Sequence, residues 1–431
     1  MKALREIPKT AGYKKGDVLV LFGELFSKGY ANGIVDEAEK LGMTIIRSTV
    51  GRRDADGHLR ALNEEEASSQ PLPFINIPLE AGFDMEPAKD GTTPCDQLKG
   101  IKMSDWDANH LDWEKIKQSQ VNGVHRFRKN VTAYMAELQK YIPEGANVLF
   151  VHTMAGGVPR AKILMPVMNK VFKGRGDRHV GSKALFDSDI GKFSQMNFSE
   201  VTAHTFHHLV DLSTMIRKNI ESKGQKVSYV AYGYHGTEVL IDGKYQWQTY
   251  TPYFQGWAKM ELEDHCKTWM DKGVHCTVFN CPEILTNSSS IFQGVEVSLY
   301  PLLGALQKEG EDSAYCKKVL DECRSLLKEE HNFAEIMNFT SAYVKNPLIQ
   351  SHSHFDQWPQ QNSKEQMEFM LDSSDHLFQM HKDVKNLMTF PLSEEVFKAT
   401  GQLMLHESWN LTEPILWLNH DVIAKRMAAN G

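Results

Sequence analysis

The chain of 431 residues is too long for one small domain and long enough to bury a large core. Hydrophobic residues make up 41% and charged residues 24%, the balance of a folded chain rather than a disordered one. A net charge of −7 argues against a nucleic-acid protein held by bulk charge.

No apolar run approaches the roughly 18–20 residues that span a bilayer. The first residues lack the pattern of a signal peptide. Cysteines are sparse (Cys95, Cys266, Cys276, Cys281, Cys316 and Cys323) and form no CxxC pair. That usage fits a reducing cytoplasm and excludes a disulfide scaffold or a cysteine zinc module.

Residues 17–22 (DVLVLF) are a short apolar run between Gly16 and Gly23, the pattern of a buried parallel strand. Over residues 29–41 the apolar Ala31, Ile34, Val35 and Ala38 have helical spacing, and Gly42 closes the helix. Residues 43–48 read as the next strand. Strand, glycine turn, helix and strand predict a parallel sheet with crossover helices. Further strands are predicted at 73–77, 147–152, 227–232 and 276–279, and amphipathic helices at 201–220 and 256–270. The polar stretch from 84 to about 122 reads as a surface excursion, and residues 287–390 as mostly helical. Within the latter, His352 and His354 are two apart and would point to opposite sides of a strand. With no third ligand evident, that patch reads as a surface loop, and no metal is expected.

The turn after the first strand, GELFSKGYANG, carries Gly23, Gly29 and Gly33. Glycines there let the backbone turn tightly and let a pyrophosphate approach the N-terminus of the helix, where free N–H groups favour an anion. The spacing is not the GxGxxG fingerprint, and an ordinary tight turn is the plainer reading of it alone.

The wording is more specific. GELFSKGYANGIV is similar to the cofactor turn of the enoyl-acyl-carrier-protein reductases, a branch of the short-chain dehydrogenase/reductase family. Gly23, Gly29, Ala31, Gly33 and Ile34 match, with Gly29 where the family usually has serine. Other matches follow in order. FVHTMAGG at 150–157 looks like the turn that passes under the nicotinamide ribose. VSYVAYGYHG at 227–236 resembles the fifth strand and the tyrosine after it. QGWAKMELE at 255–263 looks like the catalytic helix with its lysine. PEILT at 282–286 resembles the Pro-x-x-Thr turn that holds the nicotinamide carboxamide, with one extra residue. TGQLMLHESW at 400–409 looks like the last strand.

The resemblance implies a Rossmann-type, doubly wound α/β fold. Its mostly parallel sheet would have about seven strands, with a large helical insertion before the last. Residues 1–286 would then be the dinucleotide-binding and catalytic core and 287–390 a substrate lid. Residues 391–431 would carry the last strand, at 401–406, and a C-terminal helix at 413–430. Cofactor contacts are implied at Gly23, Ser27, Gly29, Tyr30, Ala31, Thr153, Met154, Ala155, Gly156, Lys259, Pro282, Ile284 and Thr286.

The active-site tyrosine departs from the family. Ordinary members place it four residues before the lysine, where this chain has Gln255, and familiar enoyl reductases seven before, where it has Pro252. Neither donates a proton. Tyr250, nine before Lys259, matches the offset of another divergent branch and is the first choice. Tyr253, six before, is a close second, and Tyr234 ends the fifth strand. Hydride addition to the β-carbon of an enoyl thioester leaves negative charge on the thioester oxygen. A phenol bonded to that oxygen stabilises the charge as it develops. A lysine nearby holds the ribose hydroxyls and favours proton release from the phenol.

Cofactor choice turns on the end of the second strand, where NAD-preferring members carry an acid. Here STVGRR has none, and Arg52 and Arg53 read either as a solvated turn or as a guanidinium pair for a 2′-phosphate. The expectation leans to NADPH over NADH. The basic run Lys170, Lys173, Arg175 and Arg178 reads as a solvated loop or as a dock for an acidic acyl carrier protein.

The activity expected is NAD(P)H-dependent reduction of the double bond of a trans-2-enoyl thioester in fatty acid synthesis. The alternative is an NADP-dependent carbonyl, 3-oxoacyl or hydroxysteroid-type reductase, and a non-catalytic nucleotide sensor is a third reading. The partners expected are the thioester and, by family analogy, further copies of the chain. The analogy is unsafe, because the insertion could block or replace the family interface.

Overall fold

The computed structural model describes residues 2–9, 12–27, 29–249, 254–286, 293–351 and 362–430. Its strands in chain order are β1 (Lys2–Ala3), β2 (Val18–Phe22), β3 (Thr44–Thr49), β4 (Arg52–Arg53), β5 (Leu59–Arg60), β6 (Phe74–Pro78), β7 (Val148–His152), β8 (Val227–Gly233), β9 (Gly236–Ile241), β10 (Lys244–Thr249), β11 (Cys276–Asn280) and β12 (Ile415–Trp417). Eight of them form one sheet in the order β1-β12-β11-β8-β7-β2-β3-β6, and every pair in it is parallel. The order reverses at β2, between β3 on one side and β7 on the other, which opens a crevice at the C-terminal strand ends.

The central strands are apolar along their whole length because helices cover both faces. In β2, Leu19 and Leu21 enter one core cluster, while Val18, Val20 and Phe22 enter the other. Strand β7 divides the same way, with Leu149 and Val151 against Val148 and Phe150. One face is covered by helices Trp113–Leu138, Thr205–Leu212 and Phe254–Asp271. The other is covered by helix Ala31–Lys40, by the helices between Leu302 and Gln379, and by helices Thr389–Glu407 and His420–Ala428.

Four expectations are corrected. Residues 401–406 are not the last strand but lie inside helix Thr389–Glu407. Every residue from Ala399 to Leu405 is buried, so this stretch of the helix shows no polar face and its sequence reads like a core strand. The last strand is the three-residue β12, whose Ile415 pairs with Val278 of β11. The terminal helix is correspondingly shorter, His420–Ala428.

The stretch from 84 to 122 is more than a surface excursion. Buried Leu98, Trp106 and Leu111 anchor it in a satellite core with Phe83, Leu164 and Phe193. Those anchors are too widely spaced to show a period. The helix expected at 201–220 is broken: a π-helical segment, Glu200–His204, precedes Thr205–Leu212, and a break at Ser213 precedes Thr214–Glu221.

All six cysteines are buried, and none is in a disulfide. Among the described residues no helix is long and apolar enough to cross a membrane. His352 and His354 lie outside the described residues.

Candidate active site

The glycine turn crosses from β2 to helix Ala31–Lys40 at the C-terminal edge of the sheet. Gly23 has φ +123°, and a β-carbon there would sit 2.5 Å from Thr153 Oγ1, so only glycine lets β2 end against the turn after β7. That turn is held in place. The Thr153 N–H donates to the Phe22 carbonyl at 3.0 Å, Thr202 Oγ1 donates to Gly156 O, and Asn197 Nδ2 donates to Gly157 O.

Gly29 has φ +154°, and a β-carbon there would meet nothing within 4 Å. It faces a cavity of about 580 Å³ with Ser27, Asn32, Ser393 and Phe397 in its wall. Gly156, φ +98°, is open in the same way. These two backbone positions are where a dinucleotide could approach without meeting side chains, and Gly29 lies two residues before helix Ala31–Lys40, whose N-terminal end favours an anion.

Tyr30 bridges the crevice. Its hydroxyl donates to the Pro282 carbonyl after β11, and its ring stacks on Tyr232 of β8 at 5.7 Å. The Leu285 N–H donates to Ser393 Oγ at 2.9 Å, so the 282–286 turn is pinned to helix Thr389–Glu407. Pro282 and Ile284 are buried in that turn, Ile284 within the core cluster, and Thr286 is half-buried.

Lys259 lies in the first part of helix Phe254–Asp271 and is 4% exposed. Its ammonium donates to the Tyr232 carbonyl at the end of β8. Burial pushes Lys259 down to about 8, only partly opposed by the neighbouring Cys281 thiol. Tyr234 follows β8 and packs at the margin of the satellite core, with Ala258 of the same helix in that cluster. Tyr250 and Tyr253 lie outside the described residues.

An antiparallel element that the sequence reading missed lies between Tyr234 and Lys259. Between β8 and the catalytic helix runs an antiparallel hairpin, β9–β10, closed by Asp242 (φ 48°) and Gly243 (φ 75°). Asp-Gly between alternating residues was the available signal. The hairpin register pairs Thr249 with Gly236, so the chain re-enters the site beside the Tyr234 turn, one residue before Tyr250.

A polar network, also missed, fixes that turn. Asn280 Oδ1 accepts the His235 N–H at 2.7 Å, Asn280 Nδ2 donates to Glu263 Oε1 at 2.7 Å, and His235 Nδ1 lies 3.3 Å from the same carboxylate. Glu263 is one helical turn beyond Lys259. Replacing Asn280 with leucine is expected to cost about 2–4 kcal/mol, because it strands a buried N–H and a buried carboxylate together. A denaturant midpoint that hardly moves would show the network to be dispensable.

At the other end of the crevice the arginines differ from expectation. Arg52 forms a two-pronged pair with Glu24, its Nη1 donating to Oε2 at 2.9 Å and its Nη2 to Oε1 at 2.8 Å. Arg53 is held by Glu80 and by the Gly57 carbonyl, with both side chains of the pair 12% exposed. Neither is an uncommitted guanidinium, so the lean to NADPH loses the residues it rested on. Within the basic run Arg175 is committed. It pairs with Asp372 and Asp375 on helix Lys364–Gln379, and the Gly176 N–H donates to Glu368. These contacts tie the run to that helix, while Arg178 is exposed.

A parallel sheet reversing at β2, with a glycine turn at the reversal and a buried lysine under the opposite rim, defines a dinucleotide-dependent oxidoreductase. A family model described as enoyl-acyl carrier protein reductase FabMG matches residues 1–427. The chain belongs to this FabMG family, and it reduces the carbon–carbon double bond of an enoyl thioester with a nicotinamide dinucleotide. Among solved structures, the ligand-free structure of FabMG, a novel type of enoyl-acyl carrier protein reductase, shares 47% identity at a TM-score of 0.96. The match covers 100% of this chain and 98% of that one. An NADH-bound FabMG structure shares 41% identity at a TM-score of 0.81, over 100% of this chain and 99% of that one. No curated protein matches. The carbonyl-reductase and sensor readings give way to the enoyl reductase reading.

Proposed function

We propose that the electron donor is NADH, lying along the C-terminal edge of the sheet. Its pyrophosphate would sit at Gly29 and the start of helix Ala31–Lys40, with Gly23, Ser27, Tyr30 and Ala31 around it. Its nicotinamide would lie between Thr153, Met154, Ala155 and Gly156 on one side and Pro282, Ile284 and Thr286 on the other. The observation that carries this reading is the open backbone at Gly29 and Gly156, where a side chain would occupy otherwise empty space. The NADH held by the 41%-identical FabMG structure supports the choice of cofactor.

When bound, NADH supplies the hydride that adds to the β-carbon of the enoyl thioester. Lys259 holds the ribose hydroxyls from below. As the double-bond electron pair moves to the thioester oxygen, a phenol donates its hydrogen bond there. A proton then enters at the α-carbon, and a saturated acyl thioester leaves. We assign the phenol to Tyr250 or Tyr253 on the resemblance to the enoyl reductases, Thr249 just before them pairing with Gly236 beside the Tyr234 turn. Tyr234, set in the satellite core, shapes the same wall. Residues 287–390 are read as the substrate lid and 1–286 as the catalytic core, with acyl carrier protein as the carrier and the cytoplasm as the compartment.

The test is cofactor oxidation with a trans-2-enoyl thioester and, in parallel, a 3-oxoacyl thioester. NADH turnover with the enoyl substrate alone is expected. Tyr250→Phe and Tyr253→Phe separate the two phenols. The true donor loses about 10²–10⁴ in kcat at an unchanged KM for NADH, and the other variant stays near the parent rate. Full activity in both variants would remove the phenol from this segment.

A further inference from the structure

We propose that Glu24, a residue of the glycine turn, selects NADH over NADPH by accepting the adenosine 2′-hydroxyl at the end of β3 and opposing a 2′-phosphate there. This inference rests on the proposal that NADH is the cofactor and names the residue that decides it.

In a Rossmann sheet the adenosine ribose lies beyond the second strand of the nucleotide-binding unit, where an acid usually receives its hydroxyl. Here that strand is β3, and its own end supplies no acid. Ser48 Oγ is turned inward, accepting the Gly23 N–H and donating to the Leu21 carbonyl at the end of β2 at 2.8 Å. Thr49 Oγ1 donates instead to Glu24 Oε2 at 2.8 Å, and the Val50 N–H donates to the same oxygen at 3.2 Å. The carboxylate thus arrives from the neighbouring turn and is fastened to the end of β3 by side chain and backbone.

Arg52 completes the clamp on both carboxylate oxygens, and the Glu24 side chain is 15% exposed. Burial raises the Glu24 carboxyl, but Arg52, Thr49 and Val50 outweigh it and hold the group below the usual carboxylate range. It is therefore ionised at neutral pH. A carboxylate offers about four lone-pair sites. Oε2 already accepts three bonds and Oε1 one, which leaves acceptor capacity on Oε1 for a hydroxyl.

A 2′-phosphate would bring about −1.5 to −2 charges to a place where the nearest cation is already neutralised. A hydroxyl brings a donor to a waiting acceptor. The charge balance at β3 thus favours the unphosphorylated ribose, although two arginines follow in the sequence. It also predicts what happens when the acid is removed: Arg52 is released and can pair with a phosphate.

The experiment compares kcat/KM for NADH and NADPH in the parent enzyme, Glu24→Gln, Glu24→Ala and the double variant Glu24→Ala/Arg52→Ala, with melting midpoints recorded for each. A hydrogen bond to a charged group corresponds to roughly tenfold to hundredfold in the constant. The NADH/NADPH ratio is expected to fall by that factor in both single variants. In Glu24→Ala the NADPH value itself rises, and removing Arg52 abolishes the gain. An unchanged ratio in variants that melt near the parent overturns the assignment. Should both single variants fail to fold, the parent enzyme tested with 2′-deoxy-NADH decides. Use about tenfold or more poorer than NADH supports Glu24, and equal use overturns it. A parent enzyme that prefers NADPH refutes the NADH reading itself. One that prefers NADH with an unmoved ratio refutes only the role of Glu24.

Discussion

Replacing Lys259 with alanine is expected to lower kcat/KM for the enoyl substrate by about 10²–10³. The side chain is buried, points to the end of β8 and lies under the rim assigned to the nicotinamide. No other cation is expected to replace it at that depth. The pH dependence carries the signature. Burial pushes Lys259 to about 8, so its charge disappears as pH rises through that value. A falling limb in kcat/KM near pH 8 is expected in the parent enzyme and not in the residual activity of Lys259→Ala.

Stability moves the other way. An unfolded lysine titrates near 10.4, so between about 8 and 10.4 the unfolded chain holds a proton that the folded chain has released. Stability therefore rises with pH across that window, and below it the folded state bears the cost of a buried ammonium. Lys259→Met, which keeps the stem and drops the charge, is expected to gain about 1–3 kcal/mol at pH 7 and nothing by pH 10.5. A variant that is less stable at pH 7 and fully active would end the assignment of Lys259 as a functional residue.

Replacing Gly401 with valine is expected to cost on the order of 4 kcal/mol or to prevent folding. Helix Thr389–Glu407 crosses helix Ala31–Lys40 at its glycines. A β-carbon at Gly401 would lie 1.9 Å from the Gly33 carbonyl carbon and 2.1 Å from the Ile34 nitrogen. A β-carbon at Gly33 would lie 1.9 Å from the Phe397 carbonyl oxygen. These are backbone atoms, which no rotamer change can move aside, so the helices must separate along their length. Because the Ala31 helix begins at the glycine turn, the damage reaches the cofactor site. Any Gly401→Val protein that does fold is expected to bind NADH more weakly than Gly401→Ala. A melting midpoint equal to the parent's would mean that the crossing is looser than these distances imply.

The elements that frame the candidate site were legible because they rest on local signals. A strand covered on both faces must be apolar throughout, and β2, β7, β8 and β11 were readable for that reason. Gly23 and Gly29 marked the turn because only glycine adopts those backbone angles freely. The catalytic helix and Lys259 came from a motif that stays contiguous. The Arg52–Arg53 pair was misread because charge in a sequence does not show its counter-charge. Glu24 and Glu80 reach those arginines only after β2, β3 and β6 lie side by side.

By itself, then, the sequence determined the parallel sheet and the glycine turn at its reversal, since each depends on residues within one element or one turn, and its resemblance to the enoyl reductases carried the chemistry. Tertiary structure alone decided that residues 401–406 are helix, because packing against helices Ala31–Lys40, Ala314–Ser325 and His420–Ala428 buries Gly401 to Leu405 and hides the helical period. It alone placed the β9–β10 hairpin between β8 and helix Phe254–Asp271 and set a carboxylate at the end of β3. The physical reason is the same in each case. Backbone preference acts over a few residues, while close approach and charge pairing act between elements that meet only when the chain has folded.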